Sequence, residues 1–134
     1  MSAKLAGLNH QDPLFRYVSY PVAWTAAQKS SRPLLLYVTM PGCPYCVKMV
    51  QNTLKSEEIQ SLVADSFETV YVDRYAQADL AAKLSVRYYP TTILVSTDNH
   101  VLDVIEGYVE SRAFRRRLQT NLTAFQLKQA GDKR

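Results

Sequence analysis

The sequence predicts an α/β fold in which a central mixed sheet is flanked by helices and preceded by an N-terminal helical extension. Three observations lead there. Residues 34–39, LLLYVT, are a continuous apolar and partly β-branched run, the pattern of a central strand covered on both faces. Helical spacing follows within a few residues: Cys46, Val50 and Leu54 recur every fourth position, with Lys48, Gln51, Asn52 and Lys55 on the other side. Farther on, two apolar strands are separated only by the polar stretch Thr97-Asp98-Asn99-His100, which reads as a hairpin.

In chain order, residues 21–30 (PVAWTAAQKS) form the first helix, with Pro21 suited to a first-turn position and Ala23, Ala26 and Ala27 favouring helix. Pro33 stops it. After the 34–39 strand, Met40-Pro41-Gly42 breaks the chain immediately before Cys43, and the helix over 44–55 begins there. A further helix is expected at 57–65, where Ile59, Leu62 and Val63 share a face and Ser56-Glu57-Glu58 makes an acidic start. Residues 68–73 (ETVYVD) alternate as a strand, and 77–85 (QADLAAKLS) are rich in helix formers. Beyond Tyr89-Pro90 come the hairpin strands 91–96 and 101–105. Phe114, Leu118, Leu122 and Phe125 then make the apolar stripe of a C-terminal helix. With no internal repeat and no linker, residues 1–134 form one domain with a core of about 21–127, frayed over the first dozen and last half-dozen residues.

Composition narrows the function classes. At 134 residues and 47% apolar the chain can bury a real core, while four glycines, six prolines and 21% charge exclude fibrous and wholly disordered readings. No apolar run approaches the roughly 18 residues of a membrane helix, so no membrane span is expected. The first twenty residues lack the apolar stretch of a signal peptide. The expected location is therefore cytoplasmic, or periplasmic or exported if a signal was trimmed. Residues 111–134 hold seven Lys/Arg against Asp132 alone, but they coincide with a helical pattern. A solvated basic helix face accounts for this, and no nucleic-acid partner is expected.

The two cysteines, Cys43 and Cys46, are separated by Pro44 and Tyr45. Two thiols cannot build the disulfide framework of a small secreted scaffold. A structural zinc site takes four ligands, and His10 and His100 lie far apart, so no metal is expected within one chain, although a dimer could share a four-cysteine site. A redox-active dithiol is the remaining chemistry.

The order of elements resembles the thioredoxin fold from about Pro21 to Leu127. The residues that carry the resemblance are Cys43-Pro44-Tyr45-Cys46 at the end of a buried strand, Tyr89-Pro90-Thr91 where the family has its cis-proline, and Gly107 after the hairpin. The stretch AWTAAQKSSRPLLLYVTMPGCPYCVKM is most similar to a thioredoxin-related branch with an upstream Trp-containing helix and a Met three residues after the second cysteine. The Pro-Tyr dipeptide is the one usual in glutaredoxins, whose Gly-Gly-Asp glutathione signature is not found near Gly107.

The resemblance implies a monomeric thiol-disulfide oxidoreductase acting in cell redox homeostasis. Its partners would be protein thiols and disulfides and a redox partner reductase or oxidase, with no prosthetic group. Helix-start N–H groups favour a thiolate at Cys43, the nucleophile, while Cys46, one turn in and on the apolar stripe, is the buried resolving thiol. Pro90 is expected to be cis, and Pro44, Tyr45, Tyr89, Pro90 and Gly107 to bind substrate. Two alternatives stand beside this: a glutathione-dependent reductase, and a non-catalytic binding module or holdase. Trp24 reads as a core residue and His100 as a solvated turn residue. Where thioredoxins proper carry a buried Asp six residues before the first cysteine, this chain has Tyr37, expected in the core with its hydroxyl near the second cysteine.

Overall fold

A computed structural model describes residues 14–132. The apolar run becomes β1 (Leu34–Thr39), all six residues of which are buried. β1 pairs in parallel with β2 (Glu68–Asp73) and antiparallel with β3 (Thr91–Val95), which turns back into β4 (Val101–Glu106). The sheet is therefore mixed, in the order β2-β1-β3-β4. The polar hairpin turn holds Asn99 at φ 67°, a left-handed conformation that Asn tolerates.

Because side chains alternate along a strand, β1 feeds two cores. Leu34, Leu36 and Val38 pack under α1 (Tyr20–Ser30), whose Ala23 and Ala27 are fully buried; half-buried Trp24 lies there too, as does α4 (Ala78–Lys83) through Leu80. Leu35 and Tyr37 face the opposite layer, formed by α2 (Pro44–Met49), α3 (Glu57–Ser66) and α5 (Ser111–Asp132). The stripe Phe114, Leu118, Leu122 and Phe125 is the buried face of α5.

Three details differ from the sequence reading. The helix expected over 44–55 changes winding: α2 ends at Met49 and Val50–Leu54 form a π turn, in which the Lys55 N–H reaches back to the Val50 carbonyl at 3.0 Å. The wider turn carries Thr53 inward beside Val50 and Leu54, and its hydroxyl donates to the Val109 carbonyl at 2.6 Å. At the other end, α5 continues to Asp132 where fraying was expected; Gln129 Nε2 donates to Thr97 Oγ1 at 3.4 Å and ties the last turns to the hairpin. Third, burial begins at Leu14, ahead of Pro21. Phe15 stacks on Tyr37 with centroids 5.7 Å apart and meets Tyr71 edge-on at 5.4 Å. Tyr17 bridges to β2 through Tyr17 N–H to Thr69 O (3.1 Å) and Tyr71 N–H to Tyr17 O (2.9 Å). Residues 14–18 thus strap the outer edge of β2. The fraying expected for the first dozen residues falls outside the described ones.

Candidate active site at the Cys43–Cys46 disulfide

β1 delivers the chain to the cysteines through Pro41-Gly42, where Gly42 has φ +71°, a conformation that strains any L side chain. Cys43 is the N-cap of α2, in extended conformation, and Pro44 follows in the first turn with no N–H to leave unsatisfied. Cys43 and Cys46 form a disulfide with Cα atoms 5.2 Å apart. Cys43 is part-exposed, whereas Cys46 is only 4% exposed. The Cys46 N–H donates to Cys43 Sγ at 3.1 Å, so the outer sulfur already holds one of the orphan amides of the helix start.

Beneath the pair, Tyr37 is buried and its hydroxyl donates to the Cys46 carbonyl at 3.2 Å. Burial pushes the phenol's pKa well above its ordinary value. Met49, also buried, places its sulfur 3.5 Å from the Val109 N–H, which accounts for the methionine three residues after the second cysteine.

A second loop closes over the sulfurs. Cys43 Sγ lies 3.5 Å from the Tyr89 carbonyl oxygen, the Tyr89–Pro90 peptide is cis, and the Gly107 N–H donates to the Pro90 carbonyl at 2.7 Å. Gly107 itself has φ +81°. A groove of about 510 Å³ opens here, lined by Tyr45, Tyr88, Tyr89, Glu106, Gly107 and Tyr108. Of the residues expected to meet substrate, Tyr45, Tyr89 and Gly107 line this groove. Pro90 is buried below it, and Pro44 is exposed at the start of α2 without lining it.

Sequence reasoning missed the groove's other half. Tyr88 and Tyr108 adjoin Tyr89 and Gly107 in sequence, which is the signal that could have found them. Lys48 read only as an off-stripe helix residue, and nothing singled out Arg74. In the structure the Lys48 ammonium sits 4.5 Å from the Tyr108 ring centroid, and the Arg74 guanidinium lies 5.4 Å from that of Tyr89. His100 stays in the exposed hairpin turn, remote from the groove lining. Among the described residues no cluster of three or more His, Cys, Asp or Glu could hold a metal, and no helix is long and apolar enough to cross a membrane.

A family model for a thioredoxin-like domain matches residues 20–121. The chain belongs to that family. Among solved structures, this thioredoxin-like chain is similar to a thioredoxin from Thermus thermophilus (23% identity, TM-score 0.71, covering 79% of this chain and 85% of that one). It is likewise similar to a protein described as DsbH oxidoreductase (20% identity, TM-score 0.72, covering 92% and 99%). The oxidised C-terminal domain of DsbD from Neisseria meningitidis also aligns (21% identity, TM-score 0.66, covering 75% and 90%). At these identities the likeness is one of fold. Spermatogenesis-associated protein 20 of Rattus norvegicus is 29% identical over an 82-residue alignment that covers 54% of this chain and 10% of that protein, so the thioredoxin-like chain spans a tenth of that relative's length.

Proposed function

We propose that the protein is a thiol-disulfide oxidoreductase that exchanges disulfides with other proteins, with Cys43 as the nucleophile and Cys46 as the resolving thiol. The observation that carries this reading is the asymmetry of the pair: a part-exposed sulfur at the start of α2 that accepts the Cys46 N–H, bonded to a buried partner. In the reduced protein the same N–H favours the Cys43 thiolate, and only that sulfur can be reached by a protein substrate. Similarity of fold to a protein described as an oxidoreductase supports the reading.

In the reducing direction, the Cys43 thiolate attacks one sulfur of a substrate disulfide, and the electron pair of the broken bond leaves on the other. Cys46 then attacks Cys43, releasing the second substrate thiolate and restoring the intramolecular disulfide. Tyr37, held neutral by burial, cannot take the Cys46 proton at neutral pH, so that proton passes to solvent or to the departing thiolate. Ambient redox poise sets the direction of flow.

The test is a pair of variants. Cys46→Ser should accumulate a mixed disulfide through Cys43 that mass spectrometry detects, and Cys43→Ser should lose insulin reduction. Insulin reduction by Cys43→Ser at the wild-type rate rejects the assignment.

A further inference from the structure

We propose that the groove beside the disulfide receives an acidic protein segment, one whose reacting cysteine is flanked by Asp or Glu side chains that meet Lys48 and Arg74. The inference rests on the reading of Cys43 as nucleophile and adds the chemistry of the substrate.

The charges around the groove are unequally paired. Arg87 stacks on Tyr88 at 5.6 Å and is paired with Glu106 at 3.5 Å. Lys48, on Tyr108, and Arg74, on Tyr89, have no carboxylate within ion-pair distance among the described residues. Asp73, next to Arg74, and Glu110, two residues beyond Tyr108, are engaged elsewhere. Asp73 Oδ1 accepts the Tyr75 and Ala76 N–H groups at 2.8 and 3.0 Å. Glu110 accepts the Arg112 and Ala113 N–H groups at 3.2 and 2.7 Å, at the start of α5. Arg74 also donates to Met40 Sδ at 3.9 Å and lies 5.6 Å from the Tyr75 ring, so among the described residues both cations keep their charge without a carboxylate, each on the face of a groove tyrosine.

Their placement suits a segment lying across the disulfide. Arg74 sits on the ring of Tyr89, whose carbonyl is 3.5 Å from Cys43 Sγ, and Lys48 lies two residues beyond Cys46. A ring face fixes a cation without neutralising it, leaving donors for a carboxylate: a planar fork on Arg74 and a point charge on Lys48. Tyr45, 61% exposed, and its neighbours supply apolar area at low entropic cost. Complementary charge at such a rim speeds encounter and orients the segment, whereas a basic segment is repelled.

The experiment uses three cyclic disulfide peptides of equal length whose two cysteines are flanked by Glu, Gln or Lys. The full chain is first reduced with dithiothreitol and freed of it, and its dithiol is then the only reductant. Each turnover breaks one peptide S–S bond and forms the Cys43–Cys46 bond. At low salt the second-order rate should be about fivefold higher for the Glu than for the Gln peptide, and lower again for the Lys peptide, with the differences collapsing in about 0.5 M salt. In the Lys48→Gln/Arg74→Gln variant the Glu and Gln rates should converge to within about twofold. Both residues are exposed, and the salt dependence of the wild type tests the proposal without any variant.

Equal rates for the three peptides at low salt, or preference for the Lys peptide, overturn the acidic-segment proposal and leave the nucleophile reading standing. Oxidised glutathione reacting faster than the Glu peptide overturns it too, by making the groove a glutathione site. Failure of the reduced chain to react even with a neutral dipyridyl disulfide removes the nucleophile reading, and the proposal falls with it.

Discussion

The two ends of the sheet carry hollows of opposite character. At the hairpin end, Ser96, Thr97, Asp98, His100, Asn121 and Lys128 line a hollow in which Ser96, Asp98 and His100 are bonded to one another. The Ser96 hydroxyl donates to the Asp98 carboxylate, His100 Nδ1 lies 3.0 Å from the same carboxylate, and Gln28 Nε2 donates to the Thr97 carbonyl at 2.6 Å. Ser, Asp and His occur together there, yet the hydroxyl proton is directed at Asp98 and not at the imidazole, so the order needed to activate a nucleophile is missing. At the disulfide end, aromatic rings stand exposed and two cations have no carboxylate partner among the described residues. Hydrogen-bonded polar groups hold a turn together; charge without a carboxylate partner beside the disulfide is what the acidic-segment proposal draws on.

Paired substitutions give the largest separation between the ends. Phe125→Ala, which empties a buried position beside the hairpin hollow, should cost about 3 kcal/mol in chemical denaturation while the folded fraction exchanges disulfides at the wild-type rate. Tyr45→Ala should shift stability by no more than about 0.5 kcal/mol yet slow exchange with peptide disulfides severalfold. Exchange slowed by the first or unaffected by the second breaks the contrast.

Tyr37→Phe probes the disulfide end from below. Without its hydroxyl donor the Cys46 carbonyl loses a buried partner, and urea denaturation of the oxidised protein should show a loss of about 1 kcal/mol. A variant as stable as wild type shows that another donor replaces the phenol.

The smallest effect concerns acid. The Ser96 hydroxyl, with His100, holds the Asp98 carboxyl below its ordinary value. Burial pushes Asp103 up, but hydrogen bonds from Arg117 and Asn121 outweigh it and leave its carboxyl depressed as well. Because folded-state values lie below unfolded ones, this stabilisation is complete above about pH 4 and is lost as pH falls through the folded values. An Asp98→Asn/Asp103→Asn protein should therefore lose less stability than wild type between about pH 5 and pH 2. Identical slopes reject this account.

What could be read from the sequence follows from how local each signal is. β1 and the hairpin announce themselves through contiguous patterns, and the Met40-Pro41-Gly42 break puts Cys43 at a helix start without reference to anything distant. The strap at 14–18 has no such pattern: Leu14, Phe15 and Tyr17 are placed by β2 and Tyr37, not by one another. The π turn was hidden because the Cys46, Val50 and Leu54 spacing fits an ordinary helix, and only the Val109 carbonyl explains why Thr53 turns inward. Tyr88 and Tyr108 stand next to Tyr89 and Gly107 and were within reach of a local reading. Lys48 and Arg74 escaped for the same reason as the strap: each meets its groove tyrosine only in the assembled fold.

The strap has one more consequence. A sheet edge with free main-chain groups is a template on which another chain can polymerise, and residues 14–18 occupy that template along part of β2. The opposite edge, β4, shifts register in its pairing with β3, where Leu94 faces Asp103 but Val95 faces Val101, and it carries Asp103 and Glu106. One border is capped by the chain's own backbone, and the other is irregular and carries two ion pairs, Asp103 with Arg117 and Glu106 with Arg87. Edge-to-edge growth is thereby discouraged at both borders, which suits a protein that leaves Tyr45, Tyr75 and Tyr88 in water.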